Sequence, residues 1–464
     1  MTPNSACADL IWKGQRTPSS SNLYPSHSIP RYNRGILAEG MLPIKHPLST
    51  LSATFLVVAS MLGTGILTTT GIILSLLKAP EAVILVWVMG GILACFGAFC
   101  YGVIVKALPK NGGEAIILRE FFSPVLGEIA GWTSFVVGFA ASNAATSLAL
   151  AAYLDAALPH LALSHELVAC STLVLVTALH SVVGPSGIRI QTLLAIIKFS
   201  LLAGLGLYGL MLASPHTPAD VESASRMAGF GPDWGVAMML VMFAYSGWNA
   251  AIYVAEEAPN PGRTVRNAMV IGAIITLLLY VTLNLALLNS LPTTEIDGVI
   301  PVMAILVKSL FGTQASAWFS GIVAFALLSS LGASAFIGPR VLATVLSWLT
   351  PRKPTSSPSA EVSPQFFWLQ AGLSILMVIT GTFEQILTIM GFLLGVFPVL
   401  CVLGMYRIKE QTPAVARYLF APLFVGVMSI ILILGAVQRP AEVSIALLLV
   451  FAFSLLRFGK YRFA

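Results

Sequence analysis

From residue 49 onward the chain alternates between long apolar runs and short polar gaps, and the runs have the length that a bilayer demands. Residues 49–77, STLSATFLVVASMLGTGILTTTGIILSLL, are 29 consecutive uncharged residues; about 20 suffice for a spanning helix. Between Glu81 and Lys106 lie 24 more, and between Glu128 and Asp155 lie 26. Spans 4 and 5 flank the turn Gly184-Pro185-Ser186-Gly187, span 5 covering about 188–213. Span 6 lies between Asp233 and Glu256, span 7 between Arg266 and Glu295, and span 8 between Lys308 and Arg340. A Pro/Ser-rich linker over 351–365 leads to span 9, which ends by Glu384, and span 10 runs to Met405. Spans 11 (418–438) and 12 (440–457) complete the set. The pattern predicts an all-α polytopic membrane protein with 12 transmembrane spans.

Two of the runs are interrupted where leucine and valine would be the ordinary choice. Span 1 carries Ser60-Met61-Leu62-Gly63-Thr64-Gly65 at its middle, and span 6 carries Phe243-Ala244-Tyr245-Ser246-Gly247-Trp248-Asn249. Glycine weakens a helix, and lipid offers the backbone no substitute partner, so such breaks persist only inside protein or along a cavity. Span 6 opens a second set of five spans as span 1 opens the first. Interrupted segments at matching positions are the sequence pointer to an inverted-repeat transporter with its solute at the bilayer midplane. For either segment alone, close packing through small residues is an equal alternative; the pairing of positions favours a site.

Composition agrees with the pattern. Of 464 residues 57% are hydrophobic and 9% charged, against about 25% charged in an ordinary soluble domain. The net charge of +6 comes from basic residues scattered singly in the gaps, which is membrane orientation and not a nucleic-acid stripe. With the N-terminus inside, 20 lysines and arginines fall on the inner side and 4 outside, so both termini are expected to be cytoplasmic, in a cell (inner or plasma) membrane. Residues 1–48 form a polar tail rich in Ser, Pro and Asn, expected to be disordered, and no apolar leader precedes span 1, so no secretory signal peptide is expected. Five dispersed cysteines and six dispersed histidines predict neither a disulfide framework nor a metal site. No cofactor motif is present, and the lack of a GxxxxGK[ST] pattern leaves a gradient or a partner as the energy source.

The GTG of span 1, the PKNGGE of residues 109–114 followed by a long span 3 with Trp132, and the FAYSGWN…EEAPNP of span 6 resemble the amino acid-polyamine-organocation superfamily. The likeness is to its amino acid permease and LAT-like branches, over about residues 48–457. The resemblance implies the leucine-transporter-type fold: a first five-helix repeat (49–213), a second inverted one (214–405), then helices 11 and 12 with a short tail (406–464). It implies that the backbone N–H groups of Gly63, Thr64 and Gly65 hold a substrate carboxylate. The carbonyls of Phe243, Ala244 and Ser246 would take its ammonium, with the Phe243 ring as a gate. Ser60, Met61, Tyr245, Gly247 and Asn249 complete the candidate binding set. Helix ends have the right polarity for this, N-termini attracting anions and C-terminal carbonyls cations.

Two departures from the family pattern bear on the substrate. Leu67 ends a Gly63-Thr64-Gly65-Ile66-Leu67 run where GSGIF is usual, and Ser246-Gly247-Trp248 replaces GGW. The added side-chain atoms favour a small substrate side chain. No acidic residue lies deep in a span, so the substrate is expected to be neutral.

Lys198 is the one ionisable side chain far from a helix end, roughly 15 Å into span 5 at about 1.5 Å per residue. A central lysine costs about 2.5–3.5 kcal/mol to insert, so it must face a partner or a wet cavity. It resembles the family's lysine at the place where sodium-coupled relatives bind their ion, and is a candidate coupling residue. A static tether from span 5 to the carbonyls of broken span 1 is the compatible alternative. Ser329 and Ser330 could line a sodium site, but a permanent ammonium nearby repels Na⁺. Glu256 and Glu257 are expected to form an inner gate, ion-paired with Arg263, Arg266 and the basic loop after span 2, and not a catalytic pair.

The function expected is secondary transport of small neutral amino acids by alternating access, sodium-independent, and proton-coupled or exchanging. An amine or polyamine permease would need an acid in the pocket. A membrane enzyme would need convergent Asp, His or Glu. A non-transporting amino acid sensor remains an alternative, and the oligomeric state is left open.

Overall fold

The computed structural model describes residues 48–161, 164–182, 188–212, 231–349, 363–408 and 412–460. The tail over 1–47, the turn at 184–187, most of the linker over 351–365 and the last four residues lie outside them, so the expected orientation of the termini does too. All regular structure in the described residues is helical.

Span 1 is two helices, α1 (Thr50–Met61) and α2 (Gly65–Leu77), bent by 45° at the break. Ser49 caps α1 by accepting the Ser52 N–H at 3.1 Å, and α2 ends where Lys78 turns left-handed (φ 55°). Helix α3 (Pro80–Ala107) follows, entered through Pro80, and then the short α4 (Gly113–Phe121). Span 3 comprises α5 (Pro124–Thr133), a π-helical stretch Ser134–Ala141 and α6 (Ser142–Ala157). A π-helix displaces its carbonyls from the normal ladder, and one of them, Ala140 O, accepts the Ser374 hydroxyl at 2.8 Å.

Next come α7 (His165–Val182), α8 (Ile188–Leu212) and α9 (Pro232–Ala244). Tight 3₁₀ winding over Ala250–Glu257 follows α9, then α10 (Pro261–Ser290), α11 (Thr293–Ile296), α12 (Val302–Phe311) and α13 (Thr313–Leu349). The chain continues with α14 (Pro364–Thr380), α15 (Phe383–Gly404), α16 (Ala421–Gln438) and α17 (Pro440–Lys460). Helix α15 starts on a capping box, Thr382 and Gln385 each bonding the other's backbone, as that residue pair dictates.

Seven helices among the described residues are long and apolar enough to cross a membrane, and the bent pair α1–α2 makes an eighth span. Four of the expected spans, 4, 6, 9 and 12, correspond to apolar helices of 10–17 residues within that test, shortened in span 6 by the predicted interruption. This is the architecture of a multi-pass membrane protein. Helix α10 lies along α3 and also packs on α1 and α8, while α2 packs on α9. The two interrupted spans therefore meet inside the bundle, with α10 behind them.

Candidate functional site

Both interruptions are present. Helix α1 ends at Met61, and three residues, Leu62, Gly63 and Thr64, separate it from α2. Gly63 N–H turns back onto Met61 O at 2.7 Å. The next three N–H groups, of Thr64, Gly65 and Ile66, have no acceptor among the described residues, and the α2 ladder resumes with Leu67 N–H on Thr64 O at 3.0 Å. Thr68 and Thr69 hydroxyls bond back to Thr64 O and Gly65 O at 2.8 Å. The result is a helix N-terminus inside the bundle with consecutive free donors, where a carboxylate would supply what lipid cannot.

Span 6 breaks differently. Helix α9 stops at Ala244, Gly247 takes φ +99°, and the chain resumes as 3₁₀ winding rather than α-helix. Phe243 O accepts Ser246 N–H at 2.9 Å, Ala244 O accepts the Tyr280 hydroxyl at 3.3 Å, and Ser246 O has no donor among the described residues. Each carbonyl has a second lone pair, so this end of α9 remains an acceptor surface.

The two breaks touch. A Cβ on Gly65 would collide with the Ala244 backbone, and one on Gly247 would lie 2.8 Å from Ser60 C and O. Glycine at both places lets one backbone approach the other. By contrast a Cβ on Gly63 would meet nothing nearer than Met61 O at 3.9 Å, so Gly63 borders open space. Ser60 is exposed, and Gly63, Ser246 and Gly247 are half-buried, whereas Met61, Thr64, Gly65, Phe243, Ala244 and Tyr245 are buried. The accessible surface at the junction is thus that of Ser60, Gly63, Ser246 and Gly247.

Two predicted binding residues are committed elsewhere. Tyr245 is fully buried, its hydroxyl donates to Trp87 O at 3.0 Å, and its ring packs between Trp87 and Tyr280. The Asn249 amide donates to the Glu114 carboxylate. Met61 faces the core, 1% exposed, and contributes only its carbonyl, which accepts the Tyr280 hydroxyl at 2.5 Å.

Lys198 from α8 reaches the break in span 1. Its Nζ donates to Leu62 O at 2.5 Å and lies 3.4 Å from Ser330 Oγ on α13. Its Nζ therefore ties α8 both to the break in span 1 and to α13.

The expected inner ion-pair network is not formed among the described residues, because backbone partners take its place. Glu256 accepts the Asn111 N–H at 3.1 Å while its own N–H donates to Asn111 Oδ1 at 3.0 Å. Glu257 contributes its carbonyl to Leu48 N–H at 3.0 Å, and Lys110 pairs with Glu120 at 2.8 Å.

Three residues escaped the sequence reading. Tyr280 on α10 bonds the carbonyl ends of both broken helices. Its signal was a polar pair one turn apart, Tyr280 and Asn284, on an otherwise apolar span; Asn284 in turn accepts Thr70 Oγ1 at 2.7 Å from α2. Glu114, 7% exposed, accepts from Asn249, from Tyr253 at 2.7 Å and from Tyr101 at 3.3 Å. It sits in a loop by sequence, so counting charges within spans passes over it. Asn111 carries no signal beyond its place in the PKNGGE run.

Among the described residues no group of three or more His, Cys, Asp or Glu could hold a metal ion. The unpaired backbone donors of span 1 and the carbonyl end of α9 thus stand next to each other.

The family described as amino acid permease matches residues 48–455, and the chain belongs to that family. It is thus of the permease class and not an enzyme. It is 23% identical to the b(0,+)-type amino acid transporter 1 of Mus musculus, over 84% of this chain and 81% of that one. It is 24% identical to the serine/threonine exchanger SteT of Bacillus subtilis (strain 168), over 82% of this chain and 87% of that one. A cystine/glutamate transporter of Homo sapiens is 24% identical over 82% of this chain and 77% of its own length.

Proposed function

We propose that the chain is a secondary transporter of small neutral amino acids that works by alternating access around the two breaks. The N–H groups of Thr64, Gly65 and Ile66 hold the α-carboxylate, and the carbonyl end of α9, Ser246 O foremost, receives the α-ammonium. The observation that carries this reading is the run of free N–H groups beside open space at Gly63, with the acceptor end of α9 next to it. A relative named for serine/threonine exchange supports a small neutral substrate, and one named for large neutral amino acids supports neutrality but not small size.

Among the described residues Ser60, Gly63, Ser246 and Gly247 carry no acid, and the Glu114 carboxylate is taken by Asn249, Tyr253 and Tyr101, which favours a substrate without a cationic side chain over an amine or polyamine. The Lys198 ammonium between Leu62 O and Ser330 Oγ supports sodium independence, and its place at the break suits a coupling proton as well as a tether. The fold proposed is the twelve-span, leucine-transporter-type inverted repeat, with repeats over 49–213 and 214–405, helices 11 and 12 after them, and both termini cytoplasmic. Phe243 and the Asn111–Glu256 pair are read as the gating elements.

The test is uptake and counterflow of an amino acid panel by purified protein in liposomes, with and without an imposed pH gradient. Serine-sized neutral substrates accumulating without Na⁺ support the reading. Transport confined to amines, or binding without counterflow, removes it in favour of an amine carrier or a sensor.

A further inference from the structure

Away from the breaks, α3 crosses the start of α10 so closely that each helix gives up a side chain to let the other pass. A Cβ on Gly102 of α3 would collide with Cβ and Cγ of Arg266, and a Cβ on Gly262 of α10 would lie 2.6 Å from Cβ of Lys106. Two cationic stems are thereby laid over two glycines and brought to one place. Between them is a cavity of about 100 Å³, lined also by Ile408, Thr412 and Pro413, well above the ~10–15 Å³ that one water needs.

The two cations have no carboxylate partner among the described residues. Among the described residues Glu120 is paired with Lys110, Glu256 with Asn111, and Glu114 with Asn249 and two tyrosines. Among the described residues Arg266 bonds the Asn267 side chain, at 3.3 Å, and stands over the Phe99 ring. Arg266 is half-buried and Lys106 exposed, and both line this cavity, where an anion is attracted by both cations.

We propose that this cleft binds a phosphate group, through the Arg266 fork, the Lys106 ammonium and the Thr412 hydroxyl. A planar guanidinium and a point-charge ammonium are the two side chains that recognise phosphate oxygens. Lys106 lies at the end of α3 and Arg266 in the opening turns of α10, which is headgroup depth for two spanning helices, where basic clefts meet anionic lipid. The phosphate is that of an anionic lipid headgroup or a free phosphate ion; both present the same oxygens. The site is independent of the substrate reading, since it shares no residue with the breaks.

The experiment uses the full chain in detergent. Native mass spectrometry measures retention of phosphatidylglycerol against phosphatidylcholine, and thermal unfolding is followed with added inorganic phosphate. The wild type retains phosphatidylglycerol preferentially. The Lys106→Gln/Arg266→Gln double variant binds it roughly 10- to 30-fold more weakly, from about 1 kcal/mol per cation, while phosphatidylcholine binding is unchanged. The charge-keeping pair Lys106→Arg/Arg266→Lys retains binding and shows that a loss is not a folding failure. Stabilisation by inorganic phosphate that only the double variant loses assigns the site to the free ion instead. Equal lipid retention by wild type and double variant with no phosphate effect overturns the proposal, as does an equal loss in Lys78→Gln/Lys110→Gln, which removes two cations outside the cleft.

Discussion

The break in span 1 and the break in span 6 do different physical work, although both are glycine-bearing gaps at matching positions. In span 1 regular helix stops and restarts within three residues, and what holds the gap is hydrogen-bond donors arriving from other spans at its carbonyls: Lys198 on Leu62 O and Tyr280 on Met61 O. Among the described residues the N–H groups of Thr64, Gly65 and Ile66 find no acceptor. In span 6 regular helix does not return; Gly247 reverses the backbone, and 3₁₀ winding leads out. That segment is held by side chains on a buried carboxylate, with Asn249 and Tyr253 both donating to Glu114. One break is held through its carbonyls and the other through side chains on a neighbouring helix. Pinning through carbonyls leaves anion-binding groups available, and anchoring through side chains leaves carbonyls available.

The largest expected effect comes from filling the opening. Gly63→Val places a branched side chain where the structure has space, so the protein folds, but substrate loses hydrogen bonds to a charged group of about 1.5–3 kcal/mol each. Affinity in a scintillation-proximity assay drops by about 10- to 100-fold and uptake is lost. Lys198→Met comes next: it strips Leu62 O of its donor, an uncompensated buried carbonyl costing about 1–3 kcal/mol. Uptake slows, and its pH dependence flattens if the lysine carries the coupled proton; unchanged pH dependence with slower uptake marks a tether alone.

Glu114→Gln keeps the shape and removes the charge, weakening the anchor of span 6 by about 1 kcal/mol. The expected readout is a lower melting temperature with substrate affinity within about threefold of wild type, because the span 1 donors are untouched. The smallest effect is Tyr280→Phe, about 1 kcal/mol. It is the one change among these that touches both breaks, so added to Glu114→Gln it measures by a double-mutant cycle how far the two are coupled.

The long spans were legible because length and apolarity decide them: 24 uncharged residues between Glu81 and Lys106 become one helix, Pro80–Ala107. The breaks were legible because Gly63, Gly65 and Gly247 are costly anywhere else in lipid. The partners of the breaks were less so. Lys198 declared itself by its charge, but Tyr280 was marked only by Asn284 one turn on, and Glu114 reads as a loop acid until the bundle closes around it. Tyr245 and Asn249 were assigned to the binding set from their place in the motif. Which way a side chain leaves an unwound turn depends on dihedral angles such as Gly247's, and periodicity says nothing about those.

Binding of the carboxylate by the free N–H groups of Thr64, Gly65 and Ile66 is the central claim, and amide hydrogen exchange reads those groups directly. With a transported amino acid present, exchange of a peptide covering residues 62–67 should slow markedly while α14 peptides keep their rates. Unchanged exchange over 62–67 at saturating substrate, in protein that still transports it, would contradict the account.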